Sequence, residues 1–419
     1  MAEKFKAVKG TKDILPNDST KWQTLEQTVH EFMNRWGYGE IRTPAFERTE
    51  LFARSVGEES DIVSKQMYTF LDQSKTSLTL KPELTAPVMR AYLEHNLDRG
   101  GALTKLYYID ALFRQERPQK GRLRQFHQFG AEAVGSPHPE QDVEIIALAY
   151  RLMEAVGVAN PLLQLNSIGS KECQQKFRNA LVEFLTPHSS DLSETSRQRL
   201  ETNPMRILDT KDEGEQAILK SAPRILDCLD DPDKDHYDTV KAGLDALGIS
   251  YEQNDFLVRG LDYYGRTTFE ITSDALGAQN ALCGGGRYDD LLEELGGKPT
   301  PAVGFAAGME RILLAISKES ATDSNTTLKV FVISAGKGAG TAALQTAMDL
   351  RSKGVTSDFD TLQRSVKAQM REANRQGATH TVVIGEEELA NGTCQVKNLS
   401  TSEQKSLPFK ELFEHLTAV

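Results

Sequence analysis

Long hydrophobic runs are the first thing this chain has little of. No stretch reaches the roughly 18 consecutive apolar residues of a membrane span, so none is expected to cross a bilayer. Residues Met1 to Lys6 lack the apolar core of a signal peptide, and a cytoplasmic protein is expected. Cysteine is scarce: Cys173, Cys228, Cys283 and Cys394 stand far apart with no CxxC pair. That spacing argues against a structural zinc. A disulfide framework does not suit a reducing compartment, so the four thiols are expected as small buried hydrophobes. Positive charge is also short. The 49 basic and 60 acidic residues leave a net charge of −11, which argues against indiscriminate nucleic-acid binding. A polyanion met by local basic patches stays open. No internal repeat or long low-complexity tract is present.

What is present fits a globular protein, with 39% hydrophobic and 26% charged residues. The length of 419 residues calls for two or three domains. Trp22, Leu25, Val29, Phe32, Met33 and Trp36 recur at helical spacing and predict a helix over 19–36, stopped by Gly37 and Gly39. Short strands are expected at Ile41–Pro44 and Ser77–Leu80. A pair of strands is expected at Leu106–Ile109 and Phe126–Val134, joined by a basic loop. A helix over 141–156 and a strand over 162–166 follow. From Ser170 to about Lys220 polar residues dominate and strands vanish. This is either an inserted, mostly helical module or a surface excursion of the main domain. Strands return at Phe256–Val258 and Thr267–Ile271, and a glycine cluster at Gly284–Gly286. The polar stretch 317–327 reads as a linker. Beyond it, strands at 330–333, 381–384 and 395–397 alternate with helices at 341–353 and 362–375, which predicts a small α/β domain.

The loop from Arg114 to Arg124 carries five positive charges, at Arg114, Arg117, Lys120, Arg122 and Arg124, against Glu116 alone. Cations crowded on a hairpin tip repel one another unless an anion visits. Phosphate suits guanidinium forks; a solvated tip is the plainer alternative. In the last domain Arg364, Lys367, Arg371 and Arg375 step by three, four and four. They predict a basic helix stripe, either a solvated face or an RNA-facing one.

Several segments carry a resemblance. Phe113-Arg114-x-Glu116, the basic loop and Phe126-x-Gln128-x-Gly130 resemble motif 2 of class II aminoacyl-tRNA synthetases, in the form used by the histidyl-tRNA synthetase family. Gly37 to Pro44 resembles motif 1, and Ala302 to Arg311 resembles motif 3. Lys9-Gly10-Thr11-x-Asp13, Leu80-Lys81-Pro82-Glu83-Leu84-Thr85, Leu257 to Tyr264, Ala281 to Asp289 and Gly385 to Thr393 are similar to further segments of that family. Lys81 stands where the family has arginine; it keeps the charge but loses the fork, so no role is assigned to it.

The resemblance implies an α+β fold: a class II antiparallel sheet flanked by helices, an inserted helical module, and a C-terminal α/β anticodon-binding domain. It implies a catalytic domain over 1–325, with the insertion at about 170–225, and the anticodon-binding domain over 326–419. It implies a homodimer that activates L-histidine with ATP and Mg2+ and esterifies it to tRNA(His). By the same resemblance Arg259 and Arg114 face the α-phosphate and carboxylate. Glu83, Thr85 and Gln128 take the α-amino group, Glu132 pairs with the imidazole, and Tyr263 and Tyr264 line its pocket. Glu116, Arg122, Phe126 and Arg311 hold ATP. Arg117, Lys120, Arg124, Arg364 and Arg371 are the implied tRNA contacts. The alternative is a non-catalytic, synthetase-like regulator that binds histidine or a partner enzyme.

Overall fold

The apolar stripe near the N-terminus winds into helix α1 (Pro16–Arg35) in the computed structural model of the chain. The structure describes residues 5–57, 60, 62–119, 121–277, 280–316 and 329–417; the expected linker at 317–327 lies outside them. Pro16 starts α1 where its missing N–H costs nothing. Gly37 stops it in a left-handed conformation, φ +77°. Leu25, Val29 and Met33 are buried, each contributing roughly 1.5–3 kcal/mol of apolar transfer energy.

The expected strand at 41–44 is absent. The chain pairs only at β1 (Gly39–Glu40), and Ile41 N donates one more bond to Tyr107 O at 2.8 Å. It then leaves the ladder ahead of Pro44, which has no N–H to give. It joins a separate three-stranded sheet at Phe46–Arg48, beside Ser77–Leu80 and Tyr68–Leu71.

The main sheet has eight strands: β1, β2 (Thr104–Phe113), β3 (Gln125–Val134), β4 (Leu162–Ser167), β5 (Tyr251–Gln253), β6 (Gly265–Thr272), β7 (Ala281–Arg287) and β8 (Ala302–Gly308). Their order is β1-β2-β3-β8-β7-β6-β4-β5. Only the outer pairs β1·β2 and β4·β5 are parallel. β2 and β3 form a hairpin paired from Thr104↔Val134 to Phe113↔Gln125, which carries the basic loop at its tip. Helix α2 (Thr85–Glu94) follows the Glu83 segment, and α3 (Pro139–Ala155) buries Ile145, Ile146, Leu148 and Leu152 in the core.

Residues 170–246 are helical, as α4 (Lys171–Leu185), two short helices at Glu194–Thr202 and Glu213–Leu219, and α5 (Asp231–Ala246). Ser170, Ser193, Asp212 and Asp230 each accept a backbone N–H at a helix start. Phe177, Leu181, Met205, Ile207 and Ile225 of this segment share one apolar cluster with Leu84, Tyr108, Tyr263 and Tyr264. The expected strand at 256–258 does not form. Asn254 turns the chain instead: its Oδ1 accepts from Phe256 N at 3.1 Å and its O from Leu257 N at 2.9 Å. Arg259 therefore stands on a loop.

The chain divides into two units, Met1–Ser320 and Ala321–Val419. The second has a five-stranded sheet of β9 (Lys329–Ala335), β10 (Thr356–Phe359), β11 (His380–Gly385), β12 (Thr393–Asn398) and β13 (Gln404–Pro408), in the order β10-β9-β11-β12-β13. Helices α6 (Ala339–Ser352) and α7 (Val366–Arg375) cover it. The expected helix at 362–375 begins four residues late, because Asp360 Oδ2 accepts Arg364 N at 2.8 Å and holds those residues in a turn. No helix among the described residues is long and apolar enough to cross a membrane.

Candidate active site

Arg114, Arg259 and Arg311 come from three distant segments and line one cavity of about 300 Å³, with Glu116, Arg122 and Phe126. Gln128 lines it as well. Four guanidinium groups face three carboxylates, Glu116, Glu270 and Glu310, so the balance is positive. A larger cleft of about 600 Å³ lies elsewhere, beside Pro44 and Leu51. Its Arg90 is already paired with Glu47 and Glu94.

Arg114 follows the last residue of β2. Its Nε donates to Pro82 O at 2.8 Å, and its guanidinium carbon lies 5.2 Å from the centre of the Phe126 ring. Burial pulls its pKa below the ordinary arginine value, against the pull of Glu116 and Glu83. Glu116 stands 3.8 Å from Arg114 and 3.5 Å from Arg122, and its Oε2 is buried without a hydrogen bond. Arg311 starts from the first turn of the Met309–Ala315 helix after β8. It donates to Gly121 O at 3.3 Å and Ala281 O at 2.8 Å. Arg259 donates to Glu270 Oε2 at 3.0 Å and lies 5.9 Å from the Tyr264 ring centre. Its guanidinium rests on Gly284, where any Cβ would overlap it. Of the three clustered glycines, Gly284 seats the arginine, while a Cβ at Gly285 would meet Gly304 O and one at Gly286 would meet Thr267 O.

Behind this cavity are two buried carboxylates. Glu83 caps α2, accepting Thr85 N at 2.8 Å and Ala86 N at 3.1 Å. Burial pushes its pKa up to about 7, although those backbone bonds and Arg114 oppose the rise. Glu132 accepts from Thr85 Oγ1 at 2.9 Å, from Tyr108 OH at 3.0 Å and from the Tyr288 hydroxyl. Burial raises it to about 8; the three hydroxyls lower it and Glu83 raises it further. Gly304 is required beside it, since a Cβ there would overlap Glu132 Oε2. Tyr263 and Tyr264 pack with Tyr288 as an aromatic wall, with centroids 4.6–6.3 Å apart. Two acids with no cation bonded to them among the described residues suit a ligand that brings positive charge and N–H donors.

Tyr108, Tyr288 and Glu270 were not singled out from the sequence. Tyr288 lies inside the quoted Ala281–Asp289 segment, and Glu270 is a charge between the apolar Phe269 and Ile271 of β6. Those two were legible signals; Tyr108 had none. Arg287 of the same segment faces away from the cavity. Fully buried, it bonds Asp142 and donates to Ser136 O at 2.8 Å and His138 O at 3.2 Å. His236 Nε2 of α5 meets the same Asp142 at 2.7 Å. Lys81 is buried too, pairing with Asp110 Oδ2 at 2.5 Å and donating to Thr43 O at 3.1 Å.

The expected RNA contacts separate. Arg117 is exposed on the loop, while Lys120 lies outside the described residues. Arg124 is used internally: its stem covers Gly10, its backbone N donates to Gly10 O at 2.7 Å and its Nε reaches Glu116 O at 3.4 Å. Arg364 is not on the helix but ahead of it, bound to Asp360 at 2.5 Å and Glu372 at 3.3 Å. Arg375 bonds Glu372 as well, and its bond, with those of Gln376 and Arg364, holds the Glu372 carboxyl down at about 2. Arg371 remains on the exposed face of α7 beside Lys367, with no ion pair among the described residues. Of the thiols, Cys173, Cys283 and Cys394 are buried, Cys228 partly so.

Residues 10–312 match the family model for histidyl-tRNA synthetase, and residues 329–418 that for an anticodon-binding domain. The chain is 47% identical to a histidine–tRNA ligase of Thermosynechococcus vestitus over 408 residues, 97% of this chain and 95% of that one. It is also 47% identical to one from Natranaerobius thermophilus, over 99% of both. Among solved structures, the apo histidyl-tRNA synthetase of S. aureus superposes with a TM-score of 0.83 at 40% identity, covering 99% of this chain and 100% of that one.

Proposed function

This chain belongs to the histidyl-tRNA synthetase family and uses ATP to ligate L-histidine to tRNA(His), and from that premise we propose how its residues carry the reaction. Histidine enters the inner pocket. Its α-ammonium group lies by Glu83, Thr85 and Gln128, and its imidazole is held by Glu132 against the wall of Tyr263 and Tyr264. Because imidazole has both a donor and an acceptor, a pocket that pairs them rejects apolar look-alikes.

ATP takes the outer cavity. Arg114 and Arg259 hold the α-phosphate and the histidine carboxylate, Arg311 and Arg122 lie along the nucleotide, Glu116 orders it and Phe126 offers a stacking face. The carboxylate attacks the α-phosphorus in line, diphosphate leaves, and histidyl-adenylate remains. Two anions must meet, so positive charge fixed in advance lowers the barrier more than any proton transfer. Nucleotide arrives as its magnesium complex. Glu116 and Glu270 offer carboxylate oxygens that would hold that magnesium, which would supply positive charge to the triphosphate. The terminal ribose 3′-OH of the tRNA then attacks the activated carbonyl.

A catalytic domain over 1–325 with its helical insertion at about 170–225, an anticodon-binding domain over 326–419, and a homodimer working in the cytoplasm belong to the same proposal. Arg117, Lys120, Arg124, Arg364 and Arg371 are its tRNA contacts. Arg117 and Arg371 are the best supported of them, both being exposed with no ion pair among the described residues; Arg124 and Arg364 are already engaged within the protein. The observation that carries the mechanism is the meeting of Arg114, Arg259 and Arg311 at one cavity. Arg259→Ala should lower histidine-dependent ATP–pyrophosphate exchange by ~100- to 1,000-fold while leaving melting temperature and native mass unchanged. Exchange near the wild-type level would remove Arg259 from the mechanism.

A further inference from the structure

We infer that Arg206, outside the cavity on the helical segment, is a positioning residue for Arg259: it holds the loop that presents Arg259 to the reactants. The inference rests on Arg259 acting at the α-phosphate, as proposed above.

Residues 254–264 run between β5 and β6 with no strand of their own, so no ladder fixes them. Backbone bonds tie them near the two ends, where Asn254 N donates to Leu165 O at 3.0 Å and Asp262 N to Val56 O at 3.4 Å; between those points side chains hold them. Asn166 Nδ2 of β4 donates to Leu257 O at 3.1 Å. On the far side of Arg259, Arg206 Nη2 donates to Gly260 O at 2.8 Å and stands 3.5 Å from Asp262 Oδ1, which also accepts from Asn203 Nδ2 at 3.2 Å. Gly57 lets Asp262 close in, since a Cβ at that position would overlap its carboxylate. Arg259 thus sits between a carbonyl held by β4 and one held by the helical segment.

The base of that second hold is firm. Arg206 lies in the turn Pro204–Asp209, where Pro204, Met205, Ile207 and Leu208 are all buried. The contact itself is polar and incompletely bonded. Around a gap of about 30 Å³ between segment and loop, Arg178 Nε, Arg206 Nε, Arg259 Nε and Asn203 Oδ1 are buried with no hydrogen-bond partner among the described residues. A joint serving stability alone would satisfy such groups, because each costs free energy when left bare. Here the one strong bond goes to the carbonyl of Gly260, next to the arginine that must be placed. Displacing a reacting-centre group by about 1 Å can cost on the order of 100-fold in rate. The helical segment therefore contributes to adenylate formation through the backbone of residue 260, without entering the cavity.

The test is single-turnover formation of histidyl-adenylate, per active site titrated, for Arg206→Met and Arg206→Lys, each alone and combined with Arg259→Ala. Arg206→Met should slow the step by ~10- to 100-fold with the KM for ATP nearly unchanged. Arg206→Lys, which keeps a donor, should recover part of the loss. In the Arg259→Ala background the Met substitution should cost less than about threefold, because residues that act through one another are not additive. An equal loss in both backgrounds, or a wild-type rate in a smaller active fraction, overturns the positioning role. A normal rate for Arg259→Ala alone overturns the parent reading instead. Should Arg206→Met fail to fold, Asn203→Ala, which removes the other bond to Asp262, decides by the same comparison.

Discussion

Histidine binding should become tighter as pH rises from 6 to 8, and Glu83 should be the cause. Its carboxyl is pushed up to about 7 by burial, so the free protein holds a proton there at pH 6. That proton must leave before the carboxylate can pair with an α-ammonium group. With a pKa of about 7, the ionised share rises from about one-eleventh at pH 6 to about ten-elevenths at pH 8, an affinity gain of about tenfold, or about 1.4 kcal/mol. Calorimetric titration of histidine into the enzyme at pH 6, 7 and 8 measures it, with the proton count taken from buffers of different ionisation enthalpy. Glu132 and the imidazole of the ligand also titrate nearby, so the control is Glu83→Gln, in which their contributions persist and that of Glu83 is gone. The wild type should show the steeper slope by about tenfold over this range. Parallel slopes, or a flat wild-type curve, would refute the assignment of the α-ammonium group to Glu83. Stability of the free protein runs the other way. Both carboxyls are raised above the ordinary 4.5. The folded state then binds more protons than the unfolded one, and stability present below pH 4.5 is lost as pH rises through about 7 and about 8. The thermal shift produced by histidine should therefore grow with pH.

Gly284→Ala should press on the Arg259 guanidinium and slow adenylate formation by ~10- to 100-fold, with histidine affinity altered far less; pre-steady-state quench and equilibrium titration separate the two. Arg287→Met should lower stability by about 3–5 kcal/mol, seen as a falling urea midpoint, because it strips the buried Asp142 of its bidentate partner. Arg371→Ala with Lys367→Ala should weaken tRNA binding and flatten its salt dependence by about one to two counterions. Pyrophosphate exchange, which needs no tRNA, should not change.

The sequence carried the local features well. The stripe of α1 and the β2–β3 hairpin with its basic tip both depend on neighbours a few residues apart, and periodicity and turn chemistry report those. Long-range partners were less visible. Glu132 draws its hydroxyls from Tyr108, 24 residues away, and Tyr288, 156 away. Asp142 meets an arginine 145 positions on. Nothing in a local window encodes such meetings. Two misplacements were local and instructive. Apolar Phe256–Val258 suggested a strand, but the side chain of Asn254 competes for the backbone and bends it. Arg364 continued a basic helical step, but Asp360 captures both its backbone and its guanidinium. The edge strands β10 and β13 are short and polar, which is how a sheet edge avoids further pairing and why they escape an alternation test.

The mechanism depends on arginines from residues 114, 259 and 311 serving one nucleotide. The most direct measurement is a structure of the enzyme with histidine and a non-hydrolysable ATP analogue. The expected density has the α-phosphate bonded by both Arg114 and Arg259, Arg311 further along the nucleotide and the imidazole on Glu132. A nucleotide seated in the cleft beside Pro44, or one touched by neither Arg114 nor Arg259, would contradict it.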